Sequence, residues 1–135
     1  MAKAPNPITS MDGRTVVITG ANSGIGLETA AALASAGARI VMGCRNPVTA
    51  AAAVDEVRRR SGNEAVETRP LDLADLEQVR RFADDLSDLD RIDVLINNAG
   101  LMLDQRAESA QGHEMMFATN HLGPFLLTSL LTDQV

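Results

Sequence analysis

The segment Thr19–Gly26, with the sequence TGANSGIG, constrains the fold of this chain more than any other feature. It directly follows Thr15–Thr19, a short β-branched run that predicts a buried strand. The next residues, Gly24–Ala36, are rich in alanine and are followed by Gly37, so they predict a helix that stops there. A glycine-rich turn that leaves a strand and opens a helix is typical of a βαβ unit that binds a dinucleotide.

Each glycine of this segment has a predicted role at such a turn. Gly20 allows a tight exit from the strand, and Gly24 lets the backbone approach a pyrophosphate. Gly26 lets the helix pack closely on the sheet. The alternative is a flexible loop without a ligand, which the agreement between glycine spacing and context disfavours. The residues of this segment that we predict to bind a cofactor are Gly20, Asn22, Ser23, Gly24, Ile25 and Gly26.

Strand and helix patterns alternate along the whole chain. Strands are predicted at Thr15–Thr19, Arg39–Gly43, Ala65–Leu71 and Ile92–Asn97. Helices are predicted at Gly24–Ala36, Asn46–Gly62, Leu76–Leu86 and Glu114–Leu131. Short apolar strands joined by helical crossovers predict an α/β fold, a doubly wound parallel sheet with the strand order 3-2-1-4. A ligand would then bind at the carboxyl ends of strands 1 and 4.

Length, charge and cysteine content limit the class of protein. The 135 residues suffice for one domain, which we place at residues 13–135, after an N-terminal tail at residues 1–12. The net charge of −6 argues against general nucleic-acid binding, which needs a basic face. Because Cys44 is the only cysteine, no intrachain disulfide forms, and we expect a cytoplasmic location.

Neither a membrane segment nor a metal site is expected. Residues 1–10 contain no apolar run, and Leu122–Leu131 is too short to cross a bilayer. His113 and His121 have no partner at the spacing of metal ligands or of a catalytic triad. We therefore expect no membrane partner and no bound metal, and we expect both histidines to be structural or exposed.

Three further segments follow the glycine-rich turn in order. Asp72–Leu73 follows the third predicted strand, Asn97–Gly100 (NNAG) follows the fourth, and Asn120–Phe125 (NHLGPF) lies on the last predicted helix. Together with the Gly-x-x-x-Gly-x-Gly spacing of Gly20–Gly26, they resemble the short-chain dehydrogenase/reductase family. Gly43–Arg45 and the run NHLGPFLLT resemble its retinol-dehydrogenase-like branch. The resemblance implies a Rossmann fold and hydride transfer between a nicotinamide and a carbonyl or alcohol.

The resemblance also implies roles for residues near the nicotinamide. Asn98, Ala99 and Gly100 would line the ribose on that side, mostly through backbone atoms. For Asn97 we favour a structural role, in which its amide ties neighbouring strands together. Asn120 corresponds to the helix asparagine that the family uses beside its active site, so it is the candidate catalytic residue. The alternative for Asn120 is a buried polar residue that is satisfied within its helix.

Pro124 predicts an irregularity in the helix that carries Asn120. An α-helix bonds the amide of residue i to the carbonyl of residue i−4, and proline has no amide hydrogen. The carbonyl of Asn120 therefore loses its helical partner, and we predict a kink. The free carbonyl and the side-chain amide of Asn120 would together hold a water molecule beside the active site.

On the adenosine side, two charged residues are candidates. Asp72, beside Leu73, would accept a hydrogen bond from the adenine amino group, or it would instead cap the helix that starts near Asp75. Arg45 lies just past strand 2, where a site that prefers NAD usually places Asp or Glu. A guanidinium suits a 2′-phosphate, to which Asn22 and Ser23 would add neutral donors, so we predict NADP rather than NAD. An ordinary surface arginine is the alternative.

The composition departs from the family at one point. The resemblance implies a Tyr-x-x-x-Lys pair for acid/base chemistry, located beyond the position that matches Leu131. The chain contains no tyrosine, and Lys3 is its only lysine, so the pair is absent. We therefore interpret the chain as the cofactor-binding half of an NADP-dependent oxidoreductase acting on a small apolar carbonyl or alcohol. The alternatives are a non-catalytic NADP-binding or regulatory module, and an assembly fragment whose open sheet edge forms homo-oligomers.

Overall fold

The computed structural model of the chain describes residues 8–135, so most of the predicted tail lies outside it. Its strands are β1 (Thr15–Thr19), β2 (Arg39–Cys44), β3 (Val66–Pro70) and β4 (Val94–Ile96). Its helices are α1 (Gly24–Ser35), α2 (Pro47–Ser61), α3 (Leu76–Asp85), α4 (Met115–Phe117) and α5 (Gly123–Leu131). A 3₁₀ turn at Leu86–Asp88 follows α3, and a π-helical turn at Ala118–Leu122 joins α4 to α5.

The strands form one parallel sheet in the order β3-β2-β1-β4, which confirms the predicted topology. The central strand β1 pairs with β2 along Thr15–Thr19 and with β4 along Val16–Ile18. Its apolar residues are fully buried because both faces of the sheet are covered by helices. Since all the strands run in one direction, their carboxyl ends meet at the same edge of the sheet.

Two apolar clusters hold the helices on the sheet. Helices α1 and α2 pack on one face, and α3 and α5 pack on the other. The alanines of α1 let its backbone approach the sheet closely, because they add little bulk between helix and strands. The first cluster includes Val16, Ile18, Ala30, Ala34 and Val57, and the second includes Val17, Val41, Phe82, Leu127 and Leu131.

Local signals at both ends of α2 explain its boundaries. The side chain of Asn46 accepts hydrogen bonds from the amides of Val48 and Thr49, at 2.9 and 3.2 Å. Pro47 occupies the first turn, where a missing amide hydrogen costs nothing. The helix ends at Gly62, whose φ of 68° lies in the left-handed region that favours glycine. The predicted helix at Asn46–Gly62 is therefore confirmed.

The predicted helix Glu114–Leu131 appears as three consecutive pieces, α4, the π turn and α5. The Glu114 side chain caps the start by accepting bonds from the amides of Phe117 and Met116, at 2.8 and 3.0 Å. These amides hold the pKa of the Glu114 carboxyl below its ordinary value. Among residues 8–135, no helix is both long enough and apolar enough to cross a membrane.

Strand β4 lies at an edge of the sheet. It is shorter than the predicted strand Ile92–Asn97, because beyond Ile96 the amide of Asn98 bonds to the Thr19 hydroxyl instead of continuing the ladder. Within residues 8–135, β4 pairs with β1 alone, and Val94, Leu95 and Ile96 are only half-buried. The far side of β4 therefore offers unpaired backbone groups beside apolar side chains.

We expect the 135-residue chain to self-associate through this edge. An apolar edge strand pairs readily with a second chain, because pairing satisfies its backbone groups and buries its side chains. Light scattering over a range of concentrations would measure the mass of the particle, and we expect a mass that rises with concentration. A concentration-independent monomer with a sharp thermal transition would contradict this expectation.

Candidate cofactor-binding site

The start of helix α1 lacks the side-chain cap that helices α2 and α3 have. Its N-cap residue, Ser23, makes no side-chain hydrogen bond to the first turn. The side chains of Asn46 and Asp75, in contrast, cap α2 and α3. Because the first amides of a helix need partners and carry positive potential, the start of α1 is suited to bind an anion such as a phosphate.

The glycines of the turn have very different surroundings. A Cβ atom at Gly24 would meet no atom within 4 Å, and its φ of +55° lies in the left-handed region. A Cβ atom at Gly26 would lie 2.5 Å from Nδ2 of Asn98 and 2.6 Å from the carbonyl oxygen of Gly20. Gly24 therefore leaves the backbone accessible to a ligand, whereas Gly26 allows α1 to touch the strand ends. This arrangement fits a dinucleotide pyrophosphate.

Thr19 and Asn98 join the carboxyl ends of β1 and β4. The buried Thr19 hydroxyl accepts hydrogen bonds from the amides of Asn98 and Ala99, both at 3.1 Å. The Asn98 side chain donates to the carbonyl oxygens of Thr19 and Gly20, at 3.0 and 3.1 Å. These bonds hold the glycine-rich turn against the loop that follows β4.

The structure corrects the predicted role of Asn97. We expected its amide to tie neighbouring strands together, but the side chain of Asn98 makes that tie. Asn97 instead donates to the Thr128 hydroxyl of α5, at 3.0 Å. The two asparagines are adjacent, but their side chains bond to different elements, Asn98 to the end of β1 and Asn97 to α5.

A groove runs along the carboxyl edge of the sheet. The ends of β1, β2 and β3 and the loop after β4 enclose one cavity of about 210 Å³. A second cavity of about 330 Å³ shares the lining residues Gly20, Asn22, Ala99 and Gly100 with the first. We call the two together the carboxyl-edge groove. The predicted cofactor residues that line it are Gly20, Asn22, Ser23, Ile25, Arg45, Asp72, Leu73, Asn98, Ala99 and Gly100.

Arg45 lies exposed in the lining of the groove, beside Asn46. Within residues 8–135 its guanidinium makes no ion pair, so its donors are available to a ligand. Asn22 is less free, because its Nδ2 donates to the Thr49 hydroxyl of α2 at 3.0 Å. A ligand phosphate bound beside Arg45 would therefore have the Arg45 guanidinium and helix α2 on the same side.

Asp72 closes a turn but does not cap helix α3. Its Oδ1 accepts a hydrogen bond from the amide of Ala74 at 2.9 Å. The cap of α3 is Asp75, which accepts from the amide of Glu77 at 3.0 Å. The alternative in which Asp72 caps the helix is therefore wrong. Asp72 lines the groove next to Leu73, and adenine recognition remains its predicted role.

Asn120 bonds to the loop after β4 through both the oxygen and the nitrogen of its side-chain amide. Its Oδ1 accepts from the amide of Leu101, and its Nδ2 donates to the carbonyl of the same residue, both at 2.8 Å. Asn120 thereby fixes the path of the backbone just after Gly100, which lines the groove. The bonds run to another loop, so the alternative of a polar residue satisfied within its own helix is wrong.

The helix irregularity near Pro124 takes the form of a π-helical turn rather than a simple kink. The amide of Gly123 bonds to the carbonyl of Ala118, five residues earlier. Such a turn accommodates the missing amide of Pro124 by shifting the bonding register. The side-chain amide of Asn120 makes one bond with each of its polar atoms to Leu101, and the water site beside its backbone carbonyl stays a prediction.

The histidines and the cysteine lie outside this arrangement. His121 is exposed and stacks between Phe117 and Phe125, with ring centroids 5.2 and 6.1 Å apart. In the described part of the chain, no three His, Cys, Asp or Glu side chains come together as metal ligands would. Cys44 is buried, and burial raises the pKa of its thiol. Cys44 is therefore a neutral packing residue at ordinary pH.

Two residues of the site, Thr19 and Thr119, were not predicted from the sequence. Thr19 organises the loop after β4, and its position as the last residue of a strand before Gly20 is the signal that could have revealed it. Thr119 lines the groove, but nothing in its sequence context distinguishes it from other helical threonines. Its unusual surroundings result from the π turn, which becomes visible only in three dimensions.

Comparison with known proteins places this geometry in one family. The family model for short chain dehydrogenase matches residues 14–135. Human retinol dehydrogenase 13 is 44% identical over 127 residues, which cover 93% of this chain and 38% of that protein. Human retinol dehydrogenase 14 is 46% identical over an alignment of 135 positions, which covers 90% of this chain and 40% of that protein. The chain thus spans about two-fifths of the length of these relatives.

Solved structures share the same fold. A Mycobacterium paratuberculosis protein of uncharacterised function superposes with a TM-score of 0.82 at 48% identity, covering 93% of this chain and 44% of that one. The NADP active-site complex of Pseudomonas aeruginosa RhlG superposes with a TM-score of 0.79 at 29% identity, covering 96% of this chain and 49% of that one. Given the matching strand order, glycine-rich turn and family model, the chain belongs to the short-chain dehydrogenase family, whose members are oxidoreductases.

Proposed function

We propose that this chain is the cofactor-binding half of an NADP-dependent oxidoreductase that transfers a hydride between nicotinamide and a carbonyl or alcohol. The observation that carries the proposal is the carboxyl-edge groove, where the uncapped start of α1, the glycine-rich turn and Arg45 converge. In this proposal residues 13–135 form the dinucleotide-binding domain. Membership in an oxidoreductase family supports the reaction class.

The start of α1 would hold the pyrophosphate. Its first amides have no side-chain cap, and the open space at Gly24 lets an anion approach the backbone. The positive end of the helix dipole stabilises negative charge there, although the chain as a whole carries a net charge of −6. The local field of one helix end therefore matters more for cofactor binding than the overall charge.

Arg45 would select NADP. It follows the end of β2, where no Asp or Glu stands, and it lacks an ion-pair partner among the described residues. A guanidinium donates paired, charge-assisted hydrogen bonds to a phosphate, which NAD lacks at its 2′ position. The NADP complex of the related RhlG fold supports the same preference for this chain.

On the nicotinamide side, the proposal makes Asn120 a positioning residue. The bound cofactor supplies or accepts the hydride. Ala99 and Gly100 line the groove where its nicotinamide half would lie, and Asn120 holds the following residue, Leu101, by its backbone. Asn120 thus acts on the reacting groups through the loop, because its own amide is already bonded.

The substrate would be an apolar alcohol or the corresponding carbonyl compound. Related proteins that share 44–46% identity are named retinol dehydrogenases, and retinol is an apolar alcohol. Leu101 lines the groove, and the exposed Met102 and Leu103 directly follow it in the chain, so this loop supplies apolar side chains. This gives the substrate class but no individual compound.

The experiment that tests the proposal is a calorimetric titration of NADP and of NAD against the native chain and Arg45→Ala. We expect the native chain to bind NADP more tightly than NAD. Arg45→Ala should weaken NADP binding by about tenfold to a hundredfold, since a hydrogen bond to a charged group contributes roughly 1.5–3 kcal/mol. Its affinity for NAD should hardly change.

Arg81→Ala is the matched control for this titration. Arg81 is an exposed arginine on α3 that does not line the groove and forms none of the ion pairs among residues 8–135. Its loss changes the net charge equally, so we expect it to leave the ratio of the two affinities unchanged. Equal affinities of the native chain for NADP and NAD would refute the proposed preference.

A second candidate function is a non-catalytic NADP-binding or regulatory module. The specific observation in its favour is that the chain contains no tyrosine. Both functions require the same cofactor groove, so the titration above does not separate them. An assay of NADPH oxidation separates them, when it is made on any longer product of the same reading frame.

A further inference from the structure

Thr119 carries a hydroxyl that has no hydrogen-bond partner in the part of the chain that the structure describes. The residue is only 8% exposed, and its Oγ1 is shielded from water. A buried hydroxyl without a partner costs free energy, because it has lost its hydrogen bonds to water and gained none. Native proteins rarely tolerate such an atom unless a partner arrives from outside the chain.

Other helical threonines of this chain satisfy their hydroxyls locally. Thr29, Thr128 and Thr132 donate to the carbonyl four residues earlier, at 2.8, 2.8 and 3.0 Å. Thr119 makes no such bond. It lies within the π turn Ala118–Leu122, where the backbone register differs from that of an α-helix. The π turn therefore leaves this hydroxyl available.

The side chain of Thr119 lines the carboxyl-edge groove. Threonine in a helix divides between two χ1 positions, and a rotation of about 120° exchanges its hydroxyl and methyl groups. Such a rotation changes the direction of Oγ1 without moving the backbone, so the hydroxyl can turn to a ligand in the groove. A ligand in the groove would therefore give the Thr119 hydroxyl a hydrogen bond, and the hydroxyl would break no existing bond to form it.

We infer that Thr119 is a binding residue for the adenosine part of the dinucleotide, an inference that rests on the proposed function. The cavity that Thr119 lines also contains Arg45 and Asp72, the residues proposed for the 2′-phosphate and the adenine. Ala99 and Gly100 line both cavities and do not distinguish them, whereas Ser23 and Ile25, beside the start of α1, line only the other one. Adenosine offers ring nitrogens and ribose hydroxyls, and a threonine hydroxyl can donate to or accept from either.

The inference is tested with Thr119→Val, which keeps nearly the same shape without the hydroxyl, and Thr119→Ser, which keeps the hydroxyl. Calorimetry with AMP, NAD and NADP gives the affinities, and thermal unfolding gives the stability. We expect Thr119→Val to weaken all three nucleotides by a common factor of about three to ten, the loss expected for one neutral hydrogen bond. Thr119→Ser should retain most of the affinity.

Stability distinguishes a binding role from a structural one. Because the hydroxyl has no partner in the fold, Thr119→Val should unfold at the same temperature as the native chain or above it. A lower unfolding temperature, or a variant that does not fold, would show that the hydroxyl has a structural partner and would overturn the inference. An unchanged affinity for AMP would also overturn it.

The outcome also separates this inference from the proposed function. If Thr119→Val weakens NADP alone, the residue contacts the 2′-phosphate and the adenosine assignment is wrong. If the native chain binds no nucleotide, the proposed function fails and this inference fails with it. If the native chain binds AMP and Thr119→Val binds it equally well, only this inference fails.

Discussion

Saturated with NADPH and offered a panel of aldehydes and ketones, the 135-residue chain should oxidise no measurable amount of cofactor. Reduction of a carbonyl places negative charge on oxygen as hydride arrives, and that oxygen needs a proton. A positioned acid or base contributes about 10²–10⁴-fold to the rate. The chain has no tyrosine to act as the acid, and its only lysine, Lys3, lies outside the described residues.

Neither Asn120 nor His121 replaces the missing acid. Asn120 carries no proton of suitable acidity, and its amide is bonded to Leu101. His121 stacks between two phenylalanines on the exposed side of its helix and does not line the groove. The measurement is NADPH absorbance over time with the mass of the sample verified. Turnover at rates normal for an oxidoreductase of this family would contradict the prediction.

Gly26→Ala should destabilise the chain by about 3 kcal/mol or more, the upper end of the range for overpacked sites. The added methyl would lie 2.5 Å from Nδ2 of Asn98 and 2.6 Å from the carbonyl oxygen of Gly20. Neither atom can move cheaply, because the Asn98 side chain bonds to the carbonyls of Thr19 and Gly20. The mutation therefore forces α1 away from the strand ends.

Gly24→Ala and Gly62→Ala are matched controls for Gly26→Ala. Both positions have a left-handed φ, +55° and +68°, and neither has an atom within 4 Å of the added Cβ. Each change should cost only the strain of that conformation, roughly 1–2 kcal/mol. Gly24→Ala should also weaken nucleotide binding, whereas Gly62→Ala, at the far end of α2, should not. Urea unfolding measures the costs, and a Gly26→Ala variant as stable as the native chain would refute the prediction.

The strand order could be predicted from the sequence because strand and helix patterns alternate and crossovers have a fixed hand. The ends of α2 were equally clear, since Asn46, Pro47 and Gly62 are local signals that act within a few residues. Signals within short stretches of sequence were enough to predict these features. The short length of β4 was not predictable, because it depends on the bond between Asn98 and the Thr19 hydroxyl of another strand.

The parts of the site that the sequence did not reveal depend on contacts between distant residues. Asn97 and Asn98 are chemically identical neighbours, and only the direction of each side chain decides which one joins the strands. The π turn has a local cause in Pro124, whereas the close approach of its end to Leu73 depends on Gly123, where a Cβ atom would overlap the carbonyl oxygen of Leu73. The hydroxyl of Thr119 that has no partner lies within that turn, so no sequence pattern indicates it.

The central claim is that the carboxyl-edge groove binds the nucleotide. Hydrogen–deuterium exchange with and without NADPH tests it directly. This measurement is informative whether or not the chain self-associates. Amides that bind a ligand or are covered by it exchange more slowly. We expect saturable protection of peptides that cover residues 20–26 and 98–101, and none at residues 54–62 of α2. Unchanged exchange at residues 20–26 under saturating NADPH, or protection confined to the opposite edge of the sheet around Asp12 and Arg14, would contradict it.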